Sequence, residues 1–263
     1  MSVEPSASGL EPDMSAGVFG APGSAAPAGS PLGDRIVALG EVTVCSGFPT
    51  QLGLILLLSL VGATPIDAAG LLSLPYIVGL SLADAALILL LVWLLLRVHD
   101  ERPVATFFGT RPTGTELLLG VALVPAALLF TLIAFGVMQW VAPSLHNVPE
   151  NPLEALIGSP VAAVWFAVVA VVAGGVREEV QRAFILRRFE QHLGGGITGL
   201  IVFSVAFGLG HLVQGRDAAI VTGLLGAFWG IVYLKRRSIV APVVCHATFN
   251  LTEILIAYSA NSG

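Results

Sequence analysis

From Gln51 onward, long apolar stretches follow one another with only short polar breaks, and this pattern leaves the chain few ways to fold. Each crossing of a hydrocarbon core takes about 20 apolar residues in a helix, because the backbone must satisfy its own hydrogen bonds where water is absent. The stretches lie near 49–64, 76–97, 115–141, 157–186, 197–213, 218–235 and 239–258, with a weaker one at 65–75. The expected fold is therefore all-α, a polytopic transmembrane helical bundle of about 7–8 helices. A mean hydropathy of +0.89 agrees. So does a charged fraction of 11%, against roughly 25% in soluble domains. No period of about 20 to 50 residues repeats, so a single membrane domain over 34–263 is expected rather than an array.

Residues 1–33 are rich in Ala, Gly, Pro and Ser, with no Lys or Arg and no apolar run. They are expected to form a disordered tail, and they lack the basic start and apolar centre of a signal peptide. Asp34 to Thr50 is half apolar and reads as an interfacial lead into the first span. The net charge of −5, with Lys and Arg scattered or at helix ends, excludes the basic stripe of a nucleic-acid binder. Cys45 and Cys245 fit neither a disulfide framework nor a CxxC metal site, and read as small packing residues.

Basic residues orient the bundle. Arg97, Arg102 and Arg111 follow the second span, Arg187 and Arg188 end the fourth, and Lys235 to Arg237 end the sixth. The alternate connections hold only Arg216 between them. Short basic loops stay inside, which predicts a cytoplasmic N-terminus in a plasma membrane, of bacterial inner-membrane type.

Against this background "GGVREEVQRAF", residues 174–184, is costly, because charges at bilayer depth must face protein or water. Glu178 lies 16 residues before Gly194, and His211 lies 15 after Gly196. At 1.5 Å per residue both sit about 22–24 Å from the same turn, so an antiparallel hairpin brings them level. His246 lies nine residues beyond Arg237, as Glu178 lies nine before Arg187, which adds a third ionisable group at that depth. A shared cavity open to the cytoplasmic side follows. Within helices, Glu178 and Arg182, Phe207 and His211, and His246 and Asn250 are each four apart and share a face. A carboxylate in a partly dry pocket can take a proton from water. His211 can relay it, while His246 and Asn250 can aim donors at a developing oxyanion. Such parts suit amide hydrolysis by an activated water.

"EEVQRAF", "FGLGH" (Phe207 to His211) and "HATFN" (His246 to Asn250), in that order on successive stretches, resemble the EExxxR, FxxxH and HxxxN motifs of the CAAX protease and bacteriocin-processing (CPBP) family. That family of intramembrane proteases includes the type II CAAX prenyl endopeptidases. The resemblance covers about 115–255. It implies Glu178 as the water-activating base, Glu179 as its supporting carboxylate, His211 as a partner on the water, and His246 with Asn250 as stabilisers of the tetrahedral intermediate. One position departs: EExxxR puts arginine at 183, where this chain has Ala183, and the arginine is Arg182.

The family has long carried a metalloprotease label, and two glutamates with two histidines can hold Zn²⁺ with an open position. No HExxH is present, and paired carboxylates suit general-base work, so a mechanism requiring no metal is favoured, with zinc as the alternative. The expected partners are the lipid bilayer and a peptide or protein substrate, lipid-modified or not. Two rivals compete: an ion- or proton-coupled transporter, whose ionisable trail would reach both membrane faces, and an idle scaffold or immunity protein. Gly223, Gly226 and Gly230 read as helix packing. His99, His146 and His192 fall in loops or at helix ends and receive no role.

Overall fold

The computed structural model describes residues 31–261 except 69 and 150. The expected disordered tail lies almost wholly outside these residues. Among the described residues there is no strand, only an isolated bridge between Ile66 and Leu72. The helices run α1 Leu32–Val44, α2 Phe48–Leu60, α3 Leu74–Val98, α4 Pro103–Phe108 and α5 Thr113–Val141. After two 3-10 turns come α6 Pro160–Val169, a π-helical segment Ala170–Arg177 and α7 Glu178–His192. The chain ends with α8 Gly196–Leu209, α9 Arg216–Arg236 and α10 Val240–Asn261.

Among the described residues, five helices are long and apolar enough to cross a bilayer: α3, α5, the continuous 33-residue helix Pro160–His192, α9 and α10. The protein is an all-α integral membrane bundle. Two stretches that read as full spans are shorter. The 49–64 stretch is α2, joined to α1 through a 46° bend, so the pair together can count as a sixth span. The 197–213 stretch is the 14-residue α8, which ends in a 3-10 turn at Leu212–Gln214. The weak stretch at 65–75 is a turn closed by the Ile66–Leu72 bridge rather than a helix. Gly70, at φ 80° within it, adopts a conformation that breaks helices.

Local signals explain several boundaries. Ser73 and Ser159 cap α3 and α6 by accepting the N–H of Tyr76 and Ala162, each followed by a proline in the first turn. Gly47 holds φ 90° at the α1–α2 bend.

The helix α7 is the pivot. Ten of its fifteen residues are buried, against one each on α6 (Val169) and α2 (Thr50). Phe184, Ile185 and Leu186 pack with Ile88 and Leu96 of α3, Phe203 and Phe207 of α8 and Tyr233 of α9. A second core joins Val124 and Ala127 of α5 with Val221, Leu225 and Trp229 of α9 and Cys245 and Phe249 of α10. Both cysteines are free and buried, in keeping with a packing role. Glycines let the helices close up. A Cβ on Gly175 would meet Ala247 at 2.7 Å, and one on Gly208 would meet the Ala219 carbonyl at 2.5 Å. Gly226 and Gly230 similarly admit Phe207 and Leu200, the close packing that small residues provide between membrane helices.

Charges gather at the two ends of the bundle. At one end Glu41 and Glu101 pair with Arg187 and Arg188, Glu116 with Arg236, and Glu190 with Arg237. At the other, His146 pairs with Asp217 at 2.8 Å and Asn147 accepts the N–H of Arg216. The basic connections thus share one end, as alternating spans require.

Candidate functional site

The site forms where the π-helical segment passes into α7. A π turn widens the helix and breaks the i→i−4 ladder, and such turns cluster at functional sites. Here it rotates the chain so that the first two residues of α7, Glu178 and Glu179, both point inward, though unequally. The Glu179 side chain is 1% exposed and Glu178 is 16% exposed.

Glu179 is fully engaged. Its Oε1 accepts from a guanidinium nitrogen of Arg182 and from Nδ1 of His246 at 2.8 Å. Because a carboxylate paired to arginine can only accept, His246 carries its proton on Nδ1 toward Glu179, and its Nε2 faces Glu178 at 3.9 Å. The His246 ring stacks on Trp229, centroids 3.7 Å apart and planes 15° apart. Trp229 itself is buried and donates to Cys245 Sγ. The imidazole is therefore held from two directions, by a carboxylate at its edge and an indole on its face.

Arg182 is wholly buried, and its Nε and second terminal nitrogen lack hydrogen-bond partners. Three aromatic faces surround it: its guanidinium carbon lies 4.9 Å from the Phe207 ring centroid, 5.3 Å from Phe203 and 5.8 Å from Trp229. Cation–π attraction replaces the missing hydrogen bonds. The spacing had suggested that Arg182 pairs with Glu178 four residues earlier. Instead it takes Glu179, three residues earlier, another separation that brings helix side chains together. The arginine missing at 183 is thus matched by Arg182 on the second glutamate.

Glu178 lines a cavity of about 170 Å³. Its other walls include Arg177, Gln181, Phe207 and His211, with Ser46, Gly47 and Gln51 from the α1–α2 pair. His211 follows α8 and turns its Nδ1–H back to the Phe207 carbonyl at 2.8 Å, which leaves Nε2 as its remaining nitrogen. The Phe207 and His211 rings lie 4.8 Å apart, as their four-residue spacing implied. Asn250 stands one turn past His246. Its amide reaches the Ala170 carbonyl at 3.4 Å, and Gly174 makes room for it, since a Cβ there would come within 2.6 Å of the amide nitrogen.

The structure therefore joins Glu178, Glu179 and His246 directly and sets His211 on the same cavity as Glu178. Asn250 packs against the π-helical segment beside them. Sequence reasoning passed over Asp84, Thr50 and Trp229, and gave Arg177 no partner outside its own segment. Asp84 bonds the Thr50 hydroxyl at 2.6 Å and pairs with Arg177 at the edge of the cavity. A carboxylate inside the apolar α3 was the available signal. For Trp229 there was none, because an aromatic in a packing helix looks the same whether or not it covers a histidine.

The metalloprotease label calls for a ligand set. Among the described residues no group of three or more His, Cys, Asp or Glu side chains is arranged to hold a metal ion. Glu179 spends its inner oxygen on Arg182 and His246, and His246 spends Nδ1 on Glu179, so these two atoms do not fit a shared zinc site in this arrangement.

No curated protein and no solved structure matches the chain. Residues 160–252 match the family model of type II CAAX prenyl endopeptidase Rce1-like proteins. That span contains every residue of the glutamate–histidine–asparagine cluster, from Ala170 through Asn250. The match over this segment supports the reading of the chain as a CAAX protease of the CPBP family.

Proposed function

We propose that the protein is an intramembrane endopeptidase that hydrolyses peptide bonds in membrane-associated or CaaX-like substrates by means of a water activated by Glu178. The unequal fate of the two glutamates carries this reading. Glu179 is closed off by Arg182 and His246, whereas Glu178 borders the cavity and, among the described residues, has no side-chain hydrogen bond that would occupy its carboxylate.

In the reaction, Glu178 takes a proton from a water in the cavity, and the resulting hydroxide adds to the carbonyl carbon of the scissile peptide bond. The carbonyl oxygen becomes an oxyanion, which preplaced donors stabilise in a low-dielectric site. The Asn250 amide is the neutral donor assigned here; His211 and His246, whose Nδ1–H bonds leave Nε2 as an acceptor, donate from Nε2 only as imidazolium, after taking up a proton. Glu178 then returns its proton to the amide nitrogen as the C–N bond breaks, releasing a carboxylic acid and an amine, which then exchange a proton to become carboxylate and ammonium. Glu179 keeps His246 in one tautomer and one orientation, an outer partner of a kind that fixes imidazoles in many active sites. No metal takes part in this scheme.

The substrate reaches the cavity from the basic, cytoplasmic end. The alternation of basic connections supports that orientation. The test is a cleavage assay of purified wild type beside Glu178→Gln on a peptide library that includes farnesylated CaaX peptides. Processing by the wild type and not by the variant supports the assignment, and equal processing rejects it.

A further inference from the structure

Asp84 lies inside the apolar span α3 and is 3% exposed. It ties three elements together. Its carboxylate accepts the Thr50 hydroxyl of α2 at 2.6 Å, more weakly the Gln51 amide at 3.5 Å, and a terminal nitrogen of Arg177 at the end of the π-helical segment. Arg177 is in turn wedged against Gly47, where a Cβ would come within 2.6 Å of the guanidinium. The bend at Gly47 and the buried aspartate together form a socket for one cation, immediately before Glu178.

A buried ion pair is a poor stability device, since well-packed apolar side chains do as well or better, and at bilayer depth its partners are costlier still. Its position suggests a different use. We infer that Asp84 is a positioning residue that acts through Arg177 on Glu178, holding the guanidinium in place and cancelling its charge beside the water-activating carboxylate. The inference rests on the assignment of Glu178 as the base. Without Asp84, the unbalanced cation favours the ionised carboxylate and weakens it as a base toward water.

The other charged or titratable groups facing Glu178 are few. His246 of α10 comes within 3.9 Å, Arg182 and Glu179 come from α7, and His211 lies across the cavity. The α1–α2 pair contributes only the uncharged Ser46, Gly47, Phe48 and Gln51. Arg177 with Asp84 is thus the one pair on this wall whose balance can be altered without touching the histidines or Glu179.

The experiment measures kcat and KM across about pH 5 to 9, using the library peptide that detergent-purified wild type cleaves fastest. Asp84→Asn, Arg177→Gln, the double variant and Glu178→Gln are compared. Asp84→Asn is expected to lower kcat about tenfold and to move the acid limb of the rate profile down by about one pH unit, with KM within about twofold. Arg177→Gln, which leaves the aspartate unbalanced, moves the acid limb the opposite way. The neutral double variant returns the limb to its wild-type position and recovers most of kcat, the non-additivity expected of a coupled pair. If Asp84→Asn fails to fold, the opposite shift in Arg177→Gln and the return in the double variant still decide the matter. Unmoved acid limbs, or a double variant no better than Asp84→Asn, would overturn the inference while leaving the hydrolase assignment intact if Glu178→Gln is inactive. A fully active Glu178→Gln would overturn both.

Discussion

The two nitrogens of His246 face two different carboxylates, Nδ1 at 2.8 Å from Glu179 and Nε2 at 3.9 Å from Glu178. One contact is a hydrogen bond and the other leaves room for movement or a bridging group. The imidazole thus divides the glutamate pair into a buried anchor and a cavity-facing group. The anchor is also paired with Arg182, whose ion pair among the described residues is with Glu179.

This division separates the effects of the two glutamine substitutions. Glu178→Gln is expected to lower kcat/KM by about 10²–10⁴-fold, the usual scale for losing acid–base catalysis, with little change in thermal stability. Glu179→Gln removes the charge partner of wholly buried Arg182, and breaking a buried pair costs about 3–5 kcal/mol. It should therefore unfold at clearly lower temperature than Glu178→Gln. Scanning fluorimetry beside the cleavage assay tests both, and equal unfolding temperatures would contradict the anchor role of Glu179.

Chelation tests the proposed chemistry. Dialysis of the purified enzyme against a strong chelator is expected to leave the cleavage rate unchanged, with metal analysis before and after. Zinc present at one per chain, lost with activity and restored with it, would require the glutamates and histidines to rearrange into a ligand set. It would end the metal-independent scheme.

Orientation can be read by thiol labelling in intact cells. Cys45 and Cys245 are buried, and both are replaced by alanine in the background. Ser238 and Gly195 are poor reporters, Ser238 because it is wholly buried and Gly195 because it is buried at φ 94°. Lys235 and Arg102 are exposed at the basic end and Ser144 at the other. An impermeant reagent outside should label Ser144→Cys and spare Lys235→Cys and Arg102→Cys. The reverse pattern would put the catalytic layer in the outer half of the bilayer.

Glu101, in the link between α3 and α4, should give the bundle an acid-sensitive joint. Burial pushes its carboxyl up, but hydrogen bonds and charge from Arg188, then Arg187, prevail and hold it below its ordinary value of 4.5. A carboxylate depressed in the folded state contributes stability that is present above the unfolded value and lost as pH falls through the folded one. Below about pH 4.5 the unfolding temperature of wild type should therefore fall more steeply than that of Glu101→Gln. Parallel curves would show that the Arg187 and Arg188 contacts contribute nothing measurable.

Much of this protein could be read from its sequence, because the relevant physics is local in the chain. A helix rises a fixed distance per residue and must bury its backbone in lipid. Apolar lengths therefore announce the bundle, basic loops its alternation, and residue counts from Gly194, Gly196 and Arg237 the common depth of Glu178, His211 and His246. Those counts could not say which way a side chain turns around its helix. That depended on the π-helical segment at Ala170–Arg177, whose extra width rotates Glu179 to Arg182 and His246 and leaves Glu178 on the cavity. It depended equally on contacts between distant spans: Asp84 on Arg177, 93 residues away, and Trp229 on His246, 17 away on the next helix. No spacing rule encodes such meetings, because they arise only when separate helices pack, and close packing at glycines such as Gly175 and Gly226 decides which faces meet.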